Sequence, residues 1–320
     1  MGRLKTGLIL LGITAALLLC LEFISGYILS QIYNRAFDAS MIIENKYGSS
    51  AGLKANIHGK VWGHRFTTDE MGGRITSGKK QNKRVGKKKW LFIGDSVTEG
   101  VGVDDHSHYS NLFAQQSEMY DIRNISLIGY ATADYVEVIS HLMIQDSTID
   151  RVSVFYCLND VYGSSKSNEL PVMAQKGIFY RINHLLAEQY DTYRLLKLYT
   201  LQNASKYFEY DLQFYKKDNN HYKQAMNDLQ LCDSICQTRQ VKFEVVLLPY
   251  KSQLTGNKNR TPQTLVGQFL SAGNIRFIDA TDFLASHHNT NEMYLWADEI
   301  HFSDTGHRAV ATYLQQALHR

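Results

Sequence analysis

The feature that most constrains the fold of this chain is the alternation of short apolar runs with helical periods that begins at residue 90. The predicted strands are 90–93, 122–128, 152–158, 243–248 and 275–278, and the predicted helices are 109–119, 133–144 and 304–318. Short apolar runs separated by helices indicate βαβ units, which build a parallel sheet with helices on both faces. The sequence therefore predicts an α/β fold with three layers, α/β/α.

A long segment between the third and fourth predicted strands, about residues 161–240, is rich in Tyr, Leu, Lys and Gln. Its apolar residues recur at helical spacing, as in Leu185, Leu186, Tyr190 and Tyr193. Because plain connections are rarely this long, we expect a helical insertion here. Its tyrosines have two interpretations: they pack helix faces on the main domain, or they form an aromatic lid over a substrate.

The N-terminus predicts a membrane-spanning helix. An apolar stretch runs from Leu8 to Leu21, and a second, mostly apolar run, 23–29, follows Glu22. Together they can cross a bilayer, which takes about 20 residues, provided that Glu22 lies toward the far interface or faces a partner. A cleaved signal peptide is the alternative. However, the leucines before Cys20 lack the small residue of a lipoprotein site, and no clean A-x-A site follows.

The charges beside this stretch predict its orientation. Arg3 and Lys5 precede it closely, whereas the first positive residues after it, Arg35 and Lys46, lie farther from its end. Positive residues near the end of a span favour the cytoplasmic side. We therefore expect residues 1–30 to form an uncleaved, single-pass anchor, with the remainder of the chain outside the cytoplasm.

Charge and cysteine content narrow the function classes. The net charge of +3 is too small to argue for a nucleic-acid partner, and no nucleic-acid-binding motif accompanies it. Four cysteines, Cys20, Cys157, Cys232 and Cys236, are too few and too irregularly spaced for a disulfide framework or a CxxC metal site. Because Cys232 and Cys236 stand at i, i+4 spacing, we expect two ordinary helix residues there.

Residues 31–87 show no sustained period and are predicted to be a linker or extension before an α/β domain at 88–320. A basic run consisting of Lys79, Lys80, Lys83, Arg84, Lys87, Lys88 and Lys89 spans the end of this extension and the start of the predicted domain. We expect this run to be solvated; contact with an anionic lipid or polysaccharide is the alternative.

The tripeptide Gly94-Asp95-Ser96 follows the first strand of the predicted sheet. Ligands of open α/β sheets bind at the carboxyl ends of the strands, so a serine there is placed to act as a nucleophile. A serine hydroxyl needs a base to remove its proton and an acid to orient that base. The segment Asp298-Glu299-Ile300-His301 supplies both, because residues three apart in one turn share a face.

Acyl transfer through a serine also needs donors aimed at the oxygen that becomes negative. Two residues fall at the ends of the next two predicted strands. The backbone N–H of Gly129 can approach a substrate without an intervening side chain, and the side-chain amide of Asn159 is a neutral donor. In isolation, each of the two is also an ordinary turn residue.

The order Ser, Gly, Asn and Asp-x-x-His resembles the SGNH hydrolase superfamily, also called GDSL esterases. The matching segments are 90–100, 124–129, 157–160 and 298–301, and the following segment, 302–307, is also typical. The resemblance spans about residues 88–320 and implies a flavodoxin-like sheet. It also implies a Ser96–His301–Asp298 triad and an oxyanion hole formed by the N–H groups of Ser96 and Gly129 and the amide of Asn159.

Two positions depart from the family pattern. Val97 stands where the family name expects leucine, which does not touch the mechanism. Cys157 stands where the third motif often has glycine, which bears on how closely the chain approaches substrate there. The resemblance implies no metal or organic cofactor. The pair His106 and His108, with their acidic neighbours, is predicted to be a polar loop that starts the next helix.

These inferences together predict a membrane-anchored serine esterase. Outside the cytoplasm it would meet cell-envelope material, so O-acetyl groups on a glycan are the first expected substrate and lipid esters the second. Two alternatives remain open at this point: an O-acyltransferase that uses the same triad, and a membrane-tethered glycan-binding protein with weak turnover. Oligomeric state is not indicated by the sequence.

Overall fold

The computed structural model describes residues 2–33, 39–76, 87–162, 182, 185–186, 189–200, 205–256, 258–295, 298 and 300–318. The strands are β1 (Ile42–Tyr47), β2 (Ser50–Leu53), β3 (His58–Val61), β4 (His64–Thr67), β5 (Lys88–Gly94), β6 (Tyr120–Asn124), β7 (Ile149–Tyr156), β8 (Lys242–Leu247) and β9 (Arg276–Asp279). The helices are α1 (Gly2–Tyr33), α2 (Ser96–Glu99), α3 (Tyr109–Gln116), α4 (Thr132–Gln145), α5 (Asp191–Thr200), α6 (Ser205–Leu212), α7 (Asn220–Thr238), α8 (Lys251–Thr255), α9 (Thr261–Ala272), α10 (Thr281–Ala285) and α11 (Asp304–Leu318).

The chain divides into two compact units. One consists of residues 1–36 and 169–203, and the other of residues 37–168 and 204–320. In the first unit, α1 contains a stretch, Lys5–Leu29, with a mean hydropathy of 2.4 that is long and apolar enough to cross a membrane. A signal sequence near an N-terminus has the same properties.

The second unit is built on a five-stranded sheet in the order β6-β5-β7-β8-β9, with every neighbouring pair parallel. This is the flavodoxin-like strand order, so the predicted α/β fold is confirmed. All five predicted strands are present. The largest difference is at β6, which ends at Asn124 instead of continuing to Ile128, so the chain from 125 to 131 is a loop at the edge of the sheet.

Helices cover both faces of this sheet. Because β5–α3–β6 runs toward one edge and the later βαβ units run toward the other, right-handed connections place α3 on one face and α4, α7 and α9 on the opposite face. The contacts agree with this division, since α4 packs on α7 and α7 on α9, whereas α3 packs on α11.

The centre of the sheet is fully buried. Leu91, Phe92 and Ile93 of β5 are fully buried, as expected for a parallel strand covered on both faces. Beside them, the Trp90 ring packs edge-on against Phe113 with centroids 5.3 Å apart. Burial of one such side chain stabilises the fold by about 1.5–3 kcal/mol, so β5 is held firmly up to its carboxyl end.

The predicted extension, 31–87, is more ordered than its sequence indicates. Two antiparallel hairpins, β1–β2 and β3–β4, occupy its described part. Ser50 Oγ donates to Asp134 Oδ1 of α4 at 2.6 Å, and Tyr47 is buried in the core. Strands of four to six residues are too short to show a period, and what fixes them is contact with distant residues.

The basic run and the insertion lie only partly within the described residues. Lys79, Lys80, Lys83 and Arg84 are outside them, whereas Lys88 and Lys89 pair with Asp150 and Asp146. Within 161–240, the described helices are α5, α6 and α7.

Several side chains of the insertion are packed. The hydroxyls of Tyr215 and Tyr222 donate to the carbonyls of Leu158 and Leu265, at 2.7 and 2.9 Å. These two tyrosines therefore fit the packing interpretation. Cys232 and Cys236 are free, buried residues of α7, as expected.

Candidate active site

Ser96 lies at the carboxyl end of the central strand β5 and is the first residue of α2. Asp95 caps that helix, since its Oδ1 accepts from the Val97 N–H at 2.9 Å. Only glycine fits at position 94, where an added Cβ would lie 2.2 Å from Thr98 Oγ1 and 3.0 Å from the Phe155 carbonyl oxygen. A tight turn fixed at both ends thus presents the Ser96 side chain at the edge of the sheet.

His301 reaches Ser96 from the opposite end of the chain. The distance from His301 Nε2 to Ser96 Oγ is 2.8 Å, and that from His301 Nδ1 to Asp298 Oδ2 is 2.6 Å. A carboxylate only accepts, so Nδ1 carries the proton and Nε2 is free to accept from the serine hydroxyl. This is the arrangement in which a histidine can take a proton from a serine.

The backbone around Asp298 fixes that carboxylate. Its Oδ1 accepts from the N–H groups of Ile300 and His301, at 2.8 and 3.0 Å. Burial opposes ionisation, but the hydrogen bonds and charge of His301 and these backbone donors hold the pKa of Asp298 below its ordinary value. The predicted helical turn is instead a loop in which the carboxylate organises its own backbone.

The charge around His301 favours its protonated form. Burial alone would lower its pKa, but the hydrogen bond and charge of Asp298, together with the charges of Asp95 and Glu99, raise the pKa above the ordinary histidine value. A histidine with a raised pKa accepts a proton more readily and stabilises the imidazolium that results.

The proposed oxyanion donors follow three adjacent strands, and Gly129 lies in the loop after β6, Ser96 after β5 and Asn159 after β7. Gly129 has a φ of +83°, a left-handed conformation that favours glycine, and an added Cβ would meet nothing within 4 Å. Asn159 follows β7, and its Nδ2 donates to Asp95 Oδ2 at 3.0 Å. One hydrogen of that amide is therefore used for support, and the second is available to a substrate oxygen.

We call Ser96, Gly129 and Asn159 the sheet-edge half of the site, and Asp298 and His301 the loop half. The structure brings Ser96 together with both residues of the loop half and links Asn159 to the residue that precedes Ser96. Gly129 is connected to the helix that begins at Ser96 through its neighbour Ile128, whose N–H donates to Glu99 Oε2 at 2.6 Å.

Glu99 is a further residue of the site, although the sequence pattern assigns it no role. It is 1% exposed, and its Oε2 accepts from the Ile128 N–H at 2.6 Å, directly before Gly129. Burial raises the pKa of Glu99 to about 8. The residue therefore couples the helix that starts at Ser96 to the loop that carries Gly129. The sequence signal that could have indicated this role is the position of Glu99 in the turn that follows Ser96.

Arg74 supports the same region from the extension. It is 1% exposed, pairs with Asp105 Oδ1 at 3.1 Å and donates to the carbonyls of Glu99 and Val103, at 2.8 and 2.5 Å. No local pattern distinguishes Arg74 from a surface arginine, because its partners lie 25 to 31 positions further along the chain.

A second buried network lies behind Asn159. The Tyr250 hydroxyl is 2.5 Å from Asp211 Oδ2 and 3.3 Å from Asn159 Oδ1, and Tyr162 donates to Asp211 Oδ1 at 2.8 Å. Burial raises the pKa of Asp211 to about 6. Asp211 belongs to α6, so the insertion contributes directly to the surroundings of the sheet-edge half.

His106 and His108 lie in the segment that leads into α3. His108 caps α3, since its Nδ1 accepts from the Ser110 N–H at 3.1 Å, and its ring packs at a tilt against His307 with centroids 4.6 Å apart. Within the described residues, no group of three or more His, Cys, Asp or Glu side chains is arranged to hold a metal ion.

Comparisons with known proteins gave only distant structural likenesses. No family model and no curated protein matches the chain. A lipolytic protein of the G-D-S-L family from Veillonella parvula is 14% identical with a TM-score of 0.45, over 72% of this chain and 98% of that one. An acetylxylan esterase from Geobacillus stearothermophilus, as a catalytic mutant, is 18% identical with a TM-score of 0.43, over 73% and 95%.

A psychrotrophic esterase from Pseudoalteromonas is 11% identical with a TM-score of 0.44, over 73% of this chain and 97% of that one. At these identities and TM-scores the likenesses do not extend to the chemistry of the site, which rests on the contacts described above.

Proposed function

We propose that this chain is a serine esterase of the SGNH/GDSL kind. In this proposal Ser96 is the nucleophile, His301 the general base and Asp298 the residue that orients the histidine. The observation that carries it is the continuous chain of contacts from Ser96 Oγ through both imidazole nitrogens to Asp298 Oδ2, at 2.8 and 2.6 Å. The motif resemblance names the same residues independently of these distances.

The reaction proceeds in two stages. His301 Nε2 takes the proton of Ser96 as Oγ attacks the ester carbonyl, and the resulting imidazolium is stabilised by Asp298. The alcohol then leaves with that proton, which gives an acyl-enzyme. Water repeats the sequence on the acyl-enzyme, and the acid and free Ser96 are regenerated.

The negative oxygen of each tetrahedral intermediate is held by the N–H groups of Ser96 and Gly129 and by the amide of Asn159. The free Asn159 hydrogen and the left-handed backbone at Gly129 support this assignment. One such donor typically contributes about 3 kcal/mol of transition-state stabilisation. Cys157 donates its backbone N–H to Asp160 Oδ2 at 2.8 Å, so that N–H is directed away from this task.

We further propose that α1 is an uncleaved membrane anchor that places the site outside the cytoplasm. The length and hydropathy of Lys5–Leu29 and the positive residues before it support this. Ester groups on cell-envelope glycans, O-acetyl groups above all, are then the expected substrates, with lipid esters second. Protease added outside spheroplasts should degrade residues 31–320; protection until the membrane is permeabilised would reverse the orientation.

A fluorophosphonate probe tests the central proposal, because it reacts only with an activated serine. The probe should label the full-length protein in detergent and should not label the Ser96→Ala variant. The control is Ser126→Ala, which changes another buried serine and should be labelled like the wild type. An unlabelled but folded wild-type protein would favour a glycan-binding protein without turnover.

Aryl esters of graded acyl length test the substrate class. The proposal expects the fastest hydrolysis with acetyl esters. A long-chain optimum would favour lipid esters, and accumulation of an acylated sugar when a sugar acceptor is present would identify an acyltransferase.

A further inference from the structure

The C-terminal third of α1 has a covered face. All residues from Lys5 to Leu21 are exposed, whereas Ser25 and Leu29 are 2% and 3% exposed. Glu22 and Gly26 are half-buried, which completes a row at helical spacing. Within the same compact unit, α1 packs against α5.

Polar contacts fix this pair of helices. Glu22 accepts from the N–H groups of Asp191 and Thr192, at 2.5 and 3.1 Å, and Thr192 Oγ1 donates to Ser25 Oγ at 3.2 Å. A carboxylate at a helix N-terminus satisfies free N–H groups and opposes the positive end of the helix dipole. The acidic residue that interrupts the apolar stretch therefore has a partner, and the partner is a helix from the insertion.

Small residues allow close approach at the same place. An added Cβ at Gly26 would lie 2.7 Å from Asp191 Oδ2, so a larger residue there would displace the Asp191 side chain. Small residues are typical where two helices pack in a membrane. Cleavage of α1 as a signal peptide would remove every one of these contacts.

The residues leading into α5 carry exposed apolar side chains. Ile182, Leu185 and Tyr190 are 49%, 57% and 50% exposed. The Tyr190 carbonyl accepts from the Arg194 N–H in the first turn of α5, and the Tyr190 N–H donates to the Leu186 carbonyl, both at 3.0 Å. An apolar helical surface attached to a membrane-spanning helix has lipid as its available partner.

The position of Glu22 sets the depth of this surface. At 1.5 Å per residue, Glu22 lies roughly 25 Å along the helix from Lys5, which is close to the hydrocarbon thickness of about 30 Å. The start of α5 would then lie at the outer boundary of the hydrocarbon core. Tyrosines are enriched at that level, and an amphipathic helix there lies in the plane of the interface.

We propose that α5, with the exposed Leu185 and Tyr190 that precede it, is a second membrane-contacting element, which lies in the outer lipid interface and is held there by Glu22. This inference rests on the proposed anchor role of α1. The partner is the bilayer surface, so membrane attachment uses two elements whose contact, Glu22 with Asp191, joins residues 169 positions apart in the sequence.

Single-cysteine labelling of the full chain in phospholipid vesicles tests this. Cys20→Ser removes the exposed thiol, and Cys157, Cys232 and Cys236 are buried, so a fluorophore attaches only at an introduced cysteine. Labels at Leu185→Cys and Tyr190→Cys should lose quenching by aqueous iodide and gain quenching by lipids with brominated acyl chains. Leu231→Cys, on a comparably exposed leucine of α7, should show the reverse.

The outcomes separate the inference from the anchor. If a label at Leu18→Cys is quenched by brominated lipid but labels at 185 and 190 behave like that at 231, the inference is wrong and the anchor stands. If the label at 18 is also quenched only by iodide, the anchor itself is wrong. Shielding of 185 and 190 from both quenchers would mean that protein covers them, which also overturns the inference.

Glu22 variants test how the element is held. Glu22→Ala removes both acceptor oxygens, so the labels at 185 and 190 should regain iodide quenching. Glu22→Gln keeps one acceptor oxygen and should retain most of the lipid contact. Equal lipid quenching in the wild type and Glu22→Ala would show that Glu22 does not hold the segment.

Discussion

The two halves of the site are positioned by different physical means. In the sheet-edge half, Ser96 and Asn159 follow strands whose side chains are almost completely buried, so the core of the domain fixes them. In the loop half, Asp298 and His301 follow no strand. Local hydrogen bonds hold them, among them Leu295 N–His301 O at 2.9 Å and Ser303 N–Met293 O at 2.8 Å.

This difference has an energetic consequence. Changes in the sheet-edge half disturb buried polar groups and should reduce both activity and the free energy of unfolding. Changes in the loop half should reduce activity with little effect on stability. The four predictions below test this contrast, from the largest effect on turnover to the smallest.

The largest effect is expected for Ser96→Ala and His301→Ala, which remove the hydrogen bond between Ser96 Oγ and His301 Nε2 that joins the two halves. Each should lower kcat by about six orders of magnitude because triad residues act as a unit. The double variant should be no slower than either single variant, which steady-state assays with an aryl ester can measure. Near-normal turnover of folded Ser96→Ala would eliminate the mechanism, and Ser126→Ala is the matched control.

Asp298→Asn should lower kcat by about 10⁴ because it favours the wrong imidazole tautomer. Since the remaining oxygen can still accept from the backbone, the melting temperature should stay at the wild-type value. Asp304→Asn, at an exposed first residue of α11, is the control and should keep full activity. A large fall in melting temperature for Asp298→Asn would remove the contrast between the two halves.

Asn159→Ala should lower kcat by about 10²–10³ through the loss of one oxyanion donor. It also leaves the fully buried Asp95 Oδ2 without its amide donor, which should cost about 1–3 kcal/mol of unfolding free energy. Asn111→Ala removes a comparable buried bond to the Asp105 carbonyl and should lower stability alone. Full activity in Asn159→Ala would exclude this residue from the oxyanion hole.

The smallest effect concerns pH. The base must be neutral, so kcat/KM should fall as pH drops through a His301 pKa above the ordinary histidine value. Because burial raises the pKa of Glu99 to about 8, a negative charge appears beside the Gly129 loop as pH rises through that value and should lower kcat several-fold.

Glu99→Gln keeps an acceptor for the Ile128 N–H without titrating, so its profile should stay flat above pH 8. The exposed Glu118→Gln should retain the wild-type profile. An alkaline fall that persists in Glu99→Gln would assign it to another group.

Local patterns were sufficient to predict the sheet and the candidate residues at its edge. Buried parallel strands are continuous apolar runs, so the end of β5 and the position of Ser96 could be read from the residues alone. Asp298 and His301 came from their spacing and from the motif resemblance, because a loop has no period.

What the sequence did not reveal depends on long-range contacts. Arg74 looks like a surface arginine until the chain folds around it, and the short strands β1 to β4 show no alternation. Glu99 looks like a helix-surface residue, and only the position of Ile128 gives it a buried partner. Tyr250 reaches Asn159 from 91 positions away.

The separation of 205 positions between Ser96 and His301 also has a consequence for biosynthesis. Strand β5 and its serine are synthesised before the segment that carries His301, which follows 205 positions later. A nascent or prematurely terminated chain thus contains a serine without its base. On the proposed mechanism, the serine gains its base only when the segment 298–301 has been made and has reached Ser96, so a chain that stops before this segment should not attack esters.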